Sequence, residues 1–157
     1  MNANPQVMEY FPNMLTQAES DGLIERFEQH TEEKGFGIWA VERKEDGAFI
    51  GFIGLLEVGF DAGFQGAVEI GWRLDNKFWK QGYATEGAKA CLDYAFGVLG
   101  LNEILSFTAT LNHPSETVMQ RIGMKKAGEF DHPKLEDGSP LKRHVLYKIT
   151  AAEYALR

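Results

Sequence analysis

Between Val68 and Leu99 the apolar residues change their period, and this restricts the fold more than any other feature of the chain. Residues 67–74 read as a strand, containing Glu69-Ile70-Gly71-Trp72-Arg73-Leu74. From Ala84 onward, Ala84, Ala88, Leu92, Ala95 and Leu99 recur at helical spacing, which predicts an amphipathic helix over about 83–99, stopped by Gly100. A turn holding Gly82 joins the two. Free backbone N–H groups at a helix N-terminus attract anions, and the helix dipole adds to the pull. Gly82 and the small Ala84 allow close approach of a phosphate, and Lys77 and Lys80 add positive charge. Neither the Walker spacing nor the dinucleotide glycine fingerprint is present. An ordinary strand–helix turn has the same outline, so the turn alone leaves its role open.

The flanking segments supply the rest of a sheet. Thr16-Gln17-Ala18-Glu19 is a capping box, and the helix it opens carries Leu23, Ile24 and Phe27 on one face and ends near Gly35. Residues 36–43 and 48–58 read as strands around the turn Glu45-Asp46-Gly47. Ile104 to Ala109 is another strand. Pro114 opens a short helix that Gly123 ends, residues 126–130 and 142–149 are two closing strands, and Thr150-Ala151-Ala152-Glu153 begins a last short helix. A hairpin meander followed by a β-α-β crossover predicts an α/β (α+β) architecture, with a mixed sheet and one parallel strand pair.

The 157 residues predict a single domain over 1–157. The net charge is −7, unevenly spread: residues 1–70 carry 13 acidic and 4 basic side chains, and the remainder 10 and 12. That balance argues against a nucleic-acid partner, which needs a basic surface. An acidic half favours a cationic substrate such as an amine, although surface charge for solubility gives the same count. The lone Cys91 excludes an internal disulfide and sits on the apolar side of its predicted helix, as a core residue. No membrane-spanning run and no signal peptide are expected, which reads as a cytoplasmic protein. No metal site is expected.

Longer matches then give the chain a likeness. Glu69-Ile-Gly-Trp-Arg-Leu74, Phe78-Trp-Lys-Gln-Gly-Tyr-Ala-Thr-Glu86, Asn112-His-Pro-Ser115 and Val118-Met-Gln-Arg-Ile-Gly-Met124 keep order and spacing over nearly the whole chain. With Phe130-Asp-His-Pro133 and Arg143-His-Val-Leu-Tyr147, the sequence resembles the Gcn5-related N-acetyltransferases (GNAT), most closely their RimJ/RimL-like ribosomal-protein N-terminal acetyltransferases. The resemblance implies a mostly antiparallel sheet with a splayed parallel pair and flanking helices. It also implies an acetyl-coenzyme A (acetyl-CoA) site. The pyrophosphate would rest on Trp79, Lys80, Gln81, Gly82, Tyr83, Ala84 and Thr85. The pantetheine arm would pair with the strand edge at Trp72, Arg73 and Leu74. Asn112, Ser115 and Arg121 would line the same cleft.

Relatives of this kind often carry a tyrosine, as general acid, where this chain has Met119, and a first strand before residue 36 that this chain lacks. The strand at 36–43 is therefore expected to be a bare edge, covered by a partner chain (a homodimer) or by the N-terminal segment. Glu69 is the candidate general base, acting through water, and Ser115 the replacement proton donor. A surface ion pair for Glu69 and an N-cap role for Ser115 are the alternatives. His113, His132 and His144 are further candidate bases. Phe60, Phe64, Trp39 and Phe36 either line an acceptor cleft or simply pack. The expected reaction is direct acetyl transfer from acetyl-CoA to a primary amine, either a protein N-terminal α-amine or a small molecule. The alternative is a non-catalytic acyl-CoA-binding or interaction module of the same fold.

Overall fold

The computed structural model describes residues 1–157. Residues 1–16 form turns and lead into α1 (Gln17–Lys34), which the Thr16–Glu19 capping box opens and Gly35 closes in the left-handed conformation. The strands β1 (Ile38–Arg43), β2 (Ala48–Glu57) and β3 (Val68–Leu74) follow as an antiparallel meander. A single 3₁₀ turn, Asn76–Phe78, which the sequence pattern did not suggest, precedes α2 (Tyr83–Gly97). Then come β4 (Glu103–Ala109), α3 (His113–Arg121), β5 (Lys125–Asp131), β6 (Arg143–Thr150) and α4 (Ala151–Ala155).

The six strands form one sheet in the order β1-β2-β3-β4-β6-β5, in which only β3 and β4 run parallel. The sheet has two differently furnished faces. On the first, Ile53, Leu55, Ile70, Leu74, Ile104, Val145, Tyr147 and Ile149 meet Leu92 and Ala95 of α2 and Met119 of α3 to make the core. The α2 helix lies close to β2 at Gly87, where an added Cβ would stand 2.4 Å from Ile53 Cδ1. Met119, which the resemblance sets where a proton-donating tyrosine is often found, is fully buried here. Cys91 is buried as expected, and burial pushes its thiol up to about 11.

The second face carries α1 over β1 and β2, with Phe27 packed edge-on against Phe52. None of the residues of α1 is buried, and Ile24 is exposed, so its apolar stripe is only partly used. His30 fixes the helix instead: Nδ1 donates to the Phe36 carbonyl and Nε2 accepts the Glu57 N–H. Beside α1, the N-terminal segment packs on β3. Asn2 accepts from Arg73 and donates to Ser20, and Asn4 and Gln6 both bond Asn76. This segment does not pair with β1, which stands at the sheet edge.

Candidate active site

The site begins where a strand pair comes apart. β3 and β4 share a single ladder position, Glu69 opposite Leu105, and then splay. Asp75 donates to Ile50 on the β2 side. Backbone groups alternate sides along a strand, so Ile70, Trp72 and Leu74 turn theirs toward β4. The Ile70 carbonyl accepts the buried Ser106 hydroxyl at 3.0 Å, and the Leu74 carbonyl accepts the Trp79 indole N–H at 2.9 Å. Between them the Trp72 N–H and carbonyl and the Leu74 N–H have no strand alongside. An open edge of this kind takes an extended, amide-bearing ligand as an added strand. On the core side the Trp72 indole reaches across to α3 and donates to Ser115 Oγ at 3.3 Å.

At the open end of the slot stands the N-terminus of α2. Gly82 is its N-cap, at φ 88°, and no side chain caps the helix. The first hydrogen bond of the helix is Glu86 to Gly82, which leaves the N–H groups of Tyr83, Ala84 and Thr85 facing outward unpaired. Lys80 is the single non-glycine residue with positive φ, at 60°. The turn exposes Trp79, Lys80, Gln81 and Gly82. Unpaired main-chain N–H groups at a helix start suit an anion.

Glu69 projects from the second face, at the closed end of the splay. It is partly buried and has neither an ion pair nor a hydrogen bond within the protein. Burial pushes its carboxyl up to about 7, with Lys134 pulling the other way. A carboxylate poised near neutrality is suited to general-base work. The face is open at Gly71, the neighbour of Glu69 on this side, where an added Cβ would touch nothing. Further along, Phe60, Phe64, Phe107 and Phe130 cluster with His132 and His144, and the His132 ring lies 4.5 Å from Phe60. The Lys134 ammonium stands 5.9 Å over Phe60. Burial lowers both histidines, His132 to about 4, so both rings are neutral at pH 7.

The remaining predicted residues divide. Asn112, not Ser115, caps α3: its Oδ1 accepts from the Ser115 N–H at 3.3 Å, and its Nδ2 donates to Thr108 at 2.9 Å. Asn112 thus holds Ser115 at the slot, with its own side chain buried and engaged. Arg121 lies exposed in the last turn of α3, about 13.5 Å of helix rise from the cap. Arg73 points away from the slot: its guanidinium lies between Phe11 and Phe52, and burial lowers it to about 10. Of the proposed cleft aromatics, Phe60 and Phe64 face the Glu69 side. Trp39 instead packs on Tyr94 of α2, and Phe36 on His30. His113 sits exposed beside Glu116. Ser106 and the Phe107 ring went unnoticed in the sequence, where strand alternation through β4 was their only signal, and Phe130 entered only as part of a matching segment.

Comparison with known proteins fits this geometry. A family model described as the acetyltransferase (GNAT) domain matches residues 1–125. The chain belongs to this family. Its members are acetyl-CoA-dependent acyltransferases. The FsC-acetyl coenzyme A-N(2)-transacetylase of Aspergillus fumigatus is 35% identical over 76% of this chain, which spans about half (52%) of that relative's length. The N-acetyltransferase YoaA of Bacillus subtilis is 27% identical over 91% of this chain and 80% of its own. Among solved structures, a GNAT-family acetyltransferase from Bacillus anthracis superposes with TM-score 0.78 at 25% identity, covering 97% of this chain and 86% of its own. The spermidine N-acetyltransferase of Vibrio cholerae, solved with CoA and spermine, shares the fold at TM-score 0.75 and 20% identity, over 98% and 88% of the two chains.

Proposed function

We propose that this GNAT chain transfers an acetyl group from acetyl-CoA to a primary amine by direct attack. The observation that carries the reading is the splay of β3 from β4, bounded by an uncapped helix N-terminus at one end and an unpaired carboxylate at the other. The Tyr83, Ala84 and Thr85 N–H groups, with the exposed turn from Trp79 to Gly82, hold the pyrophosphate. The free Trp72 and Leu74 backbone groups take the pantetheine amides. Arg73 contributes to the sheet rather than to this edge, and Arg121 serves at the outer end of α3. The thioester arrives already activated, so holding amine and donor together supplies up to about 7–11 kcal/mol of the barrier.

Glu69 removes the ammonium proton through a water molecule, and the neutral amine attacks the acetyl carbonyl. Attack leaves a second proton on the nitrogen; as the carbon–sulfur bond breaks, Ser115, held by Asn112 and Trp72, gives its hydroxyl proton to the departing thiolate and takes the nitrogen's in exchange, which leaves a neutral amide and thiol and restores the serine. The acceptor we favour is a protein N-terminal α-amine, as in the RimJ/RimL-like branch, with a small-molecule amine second. A cytoplasmic location and a homodimer closed over the β1 edge complete the reading. The buried Met119, which has no proton to give, favours the rival reading of a non-catalytic acyl-CoA-binding module. Calorimetric titration with acetyl-CoA, followed by thiol release against amines and N-terminal peptides, tests the two. Binding with release on an acceptor is expected of the enzyme. Binding without release on any acceptor would support the module.

A further inference from the structure

One cation beside the aromatic cluster has no counter-charge, and the transfer reaction does not use it. Lys134 lies in the loop between β5 and β6, two residues beyond His132. Contacts within the loop hold it in place. The Lys134 backbone N–H donates to His132 Nδ1 at 3.2 Å, and the Leu135 N–H donates to the His132 carbonyl at 3.1 Å. Lys142 ties the other arm, donating to the Leu135 carbonyl at 2.7 Å and pairing with Asp137 at 2.9 Å. The His132 ring, 4.5 Å from Phe60, seats the loop on the cluster. The exposed Lys134 side chain then sets its ammonium 5.9 Å over Phe60, within cation–π range, and no carboxylate forms an ion pair with it.

The other charges nearby are already matched. Asp137 is taken by Lys142, and Glu129 and Asp131 by Arg143. Burial lowers His132 and His144, so neither ring adds charge at pH 7. Lys134 acts on Glu69, whose carboxyl it pulls down against the effect of burial. The face that carries Glu69 thus presents an acid, an aromatic surface and a free cation together. Aromatic rings attract cations, but here the chain's own ammonium already stands over Phe60. An acceptor with a second positive charge, such as a polyamine, would bring it toward a like charge, and one with a remote carboxylate would meet the opposite. We propose that Lys134 is a specificity-determining residue that selects the charge of the acceptor, repelling amines that carry a second positive charge and drawing amines whose remote end is a carboxylate. The apolar middle of such an acceptor lies against Phe60 and its neighbours. This rests on the acetyl-transfer reading above and narrows its acceptor to amines with an anionic remote end.

The test uses acceptors of matched length that differ in the charge of the remote end: 6-aminohexanoate, hexylamine and 1,6-diaminohexane. The peptide amides Ala-Phe-Glu, Ala-Phe-Gln and Ala-Phe-Lys form a parallel set. Thiol release gives kcat/KM for each on the wild type, Lys134→Met and Lys134→Glu, all checked for a native melting transition. The wild type is expected to prefer the anionic over the dicationic acceptor about tenfold or more, and about 1 M salt should shrink that preference. Lys134→Met, which keeps an unbranched apolar side chain, is expected to level the series, and Lys134→Glu to invert it. Losing Lys134 also lets the Glu69 carboxyl rise, which affects all acceptors alike, so the ratio within a set is the readout. A wild type that does not prefer the anionic acceptor, or a ratio unchanged in both variants, would overturn the proposal and leave acetyl transfer standing. Transfer to no member of either set would overturn both.

Discussion

The two sides of the β3–β4 splay are built from different materials. On the side we propose for the coenzyme the chemistry comes from main chain: the Tyr83, Ala84 and Thr85 N–H groups and the open Trp72–Leu74 edge. On the side we propose for the acceptor it comes from side chains brought together from distant segments, with Phe60, Phe107, Phe130, His132 and His144 drawn from two loops and three strands. A surface made of main chain tolerates changes in its side chains provided the backbone path is kept. A surface made of side chains is retuned by single replacements. The first therefore suits a common donor, and the second suits an acceptor that varies among relatives.

Glu69 stands at the border, so replacing it gives the largest expected effect. Glu69→Gln should lower kcat about 10²- to 10⁴-fold while the Kd for acetyl-CoA stays unchanged, read by thiol release and calorimetry. An equal loss of coenzyme affinity would show that the two sides are not separable. Next, Gly82→Val should weaken acetyl-CoA binding about tenfold or more, because a β-branched residue at φ 88° forces the turn out of shape. A Lys80→Ala variant, which alters only a side chain, should change affinity by less. The reverse order would break the contrast between main chain and side chain.

Smaller effects concern Glu69's protonation and the closed end of the slot. With the Glu69 carboxyl at about 7, kcat/KM should rise as pH increases through that value, and Glu69→Gln should lack the rise. The sign for stability is opposite. A folded-state pKa above the ordinary carboxylate value means that the folded chain binds the extra proton, so stability falls as pH rises from about 4.5 to about 7. Glu69→Gln should therefore melt above the wild type at pH 8 and with less advantage at pH 5. Last, Ser106→Ala leaves the buried Ile70 carbonyl without its donor. It should cost about 1–3 kcal/mol in denaturant unfolding, and acceptor preference should stay as it was.

The same division explains what was legible in the sequence. The capping box at Thr16, the period change after Leu74 and the turn at Gly82 are local signals, and the structure has each of them. The resemblance brought Glu69 and Ser115 into view. Local spacing misread the cap of α3, because Asn112 and Ser115 are both good caps and only the fold shows that the Trp72 indole engages the serine. Arg73 was misplaced for a similar reason, since strand alternation sends every second residue to the other face and the N-terminal segment that receives it lies 71 positions away. The gathering of His132 and His144 against Phe60, Phe107 and Phe130 depends on the fold, and no linear spacing records it.

The hydroxyl of Ser106 on the Ile70 carbonyl closes the splay at a definite point, and so works as a ruler. From that stop to Leu74 the open edge runs four residues, about 13 Å at strand rise. A ligand anchored at the helix end and threaded down this edge has its reach graduated by backbone amides, and its tip comes to rest beside Glu69. A donor with a truncated arm has no zero mark to be measured from: it enters the same slot but arrives at no fixed depth.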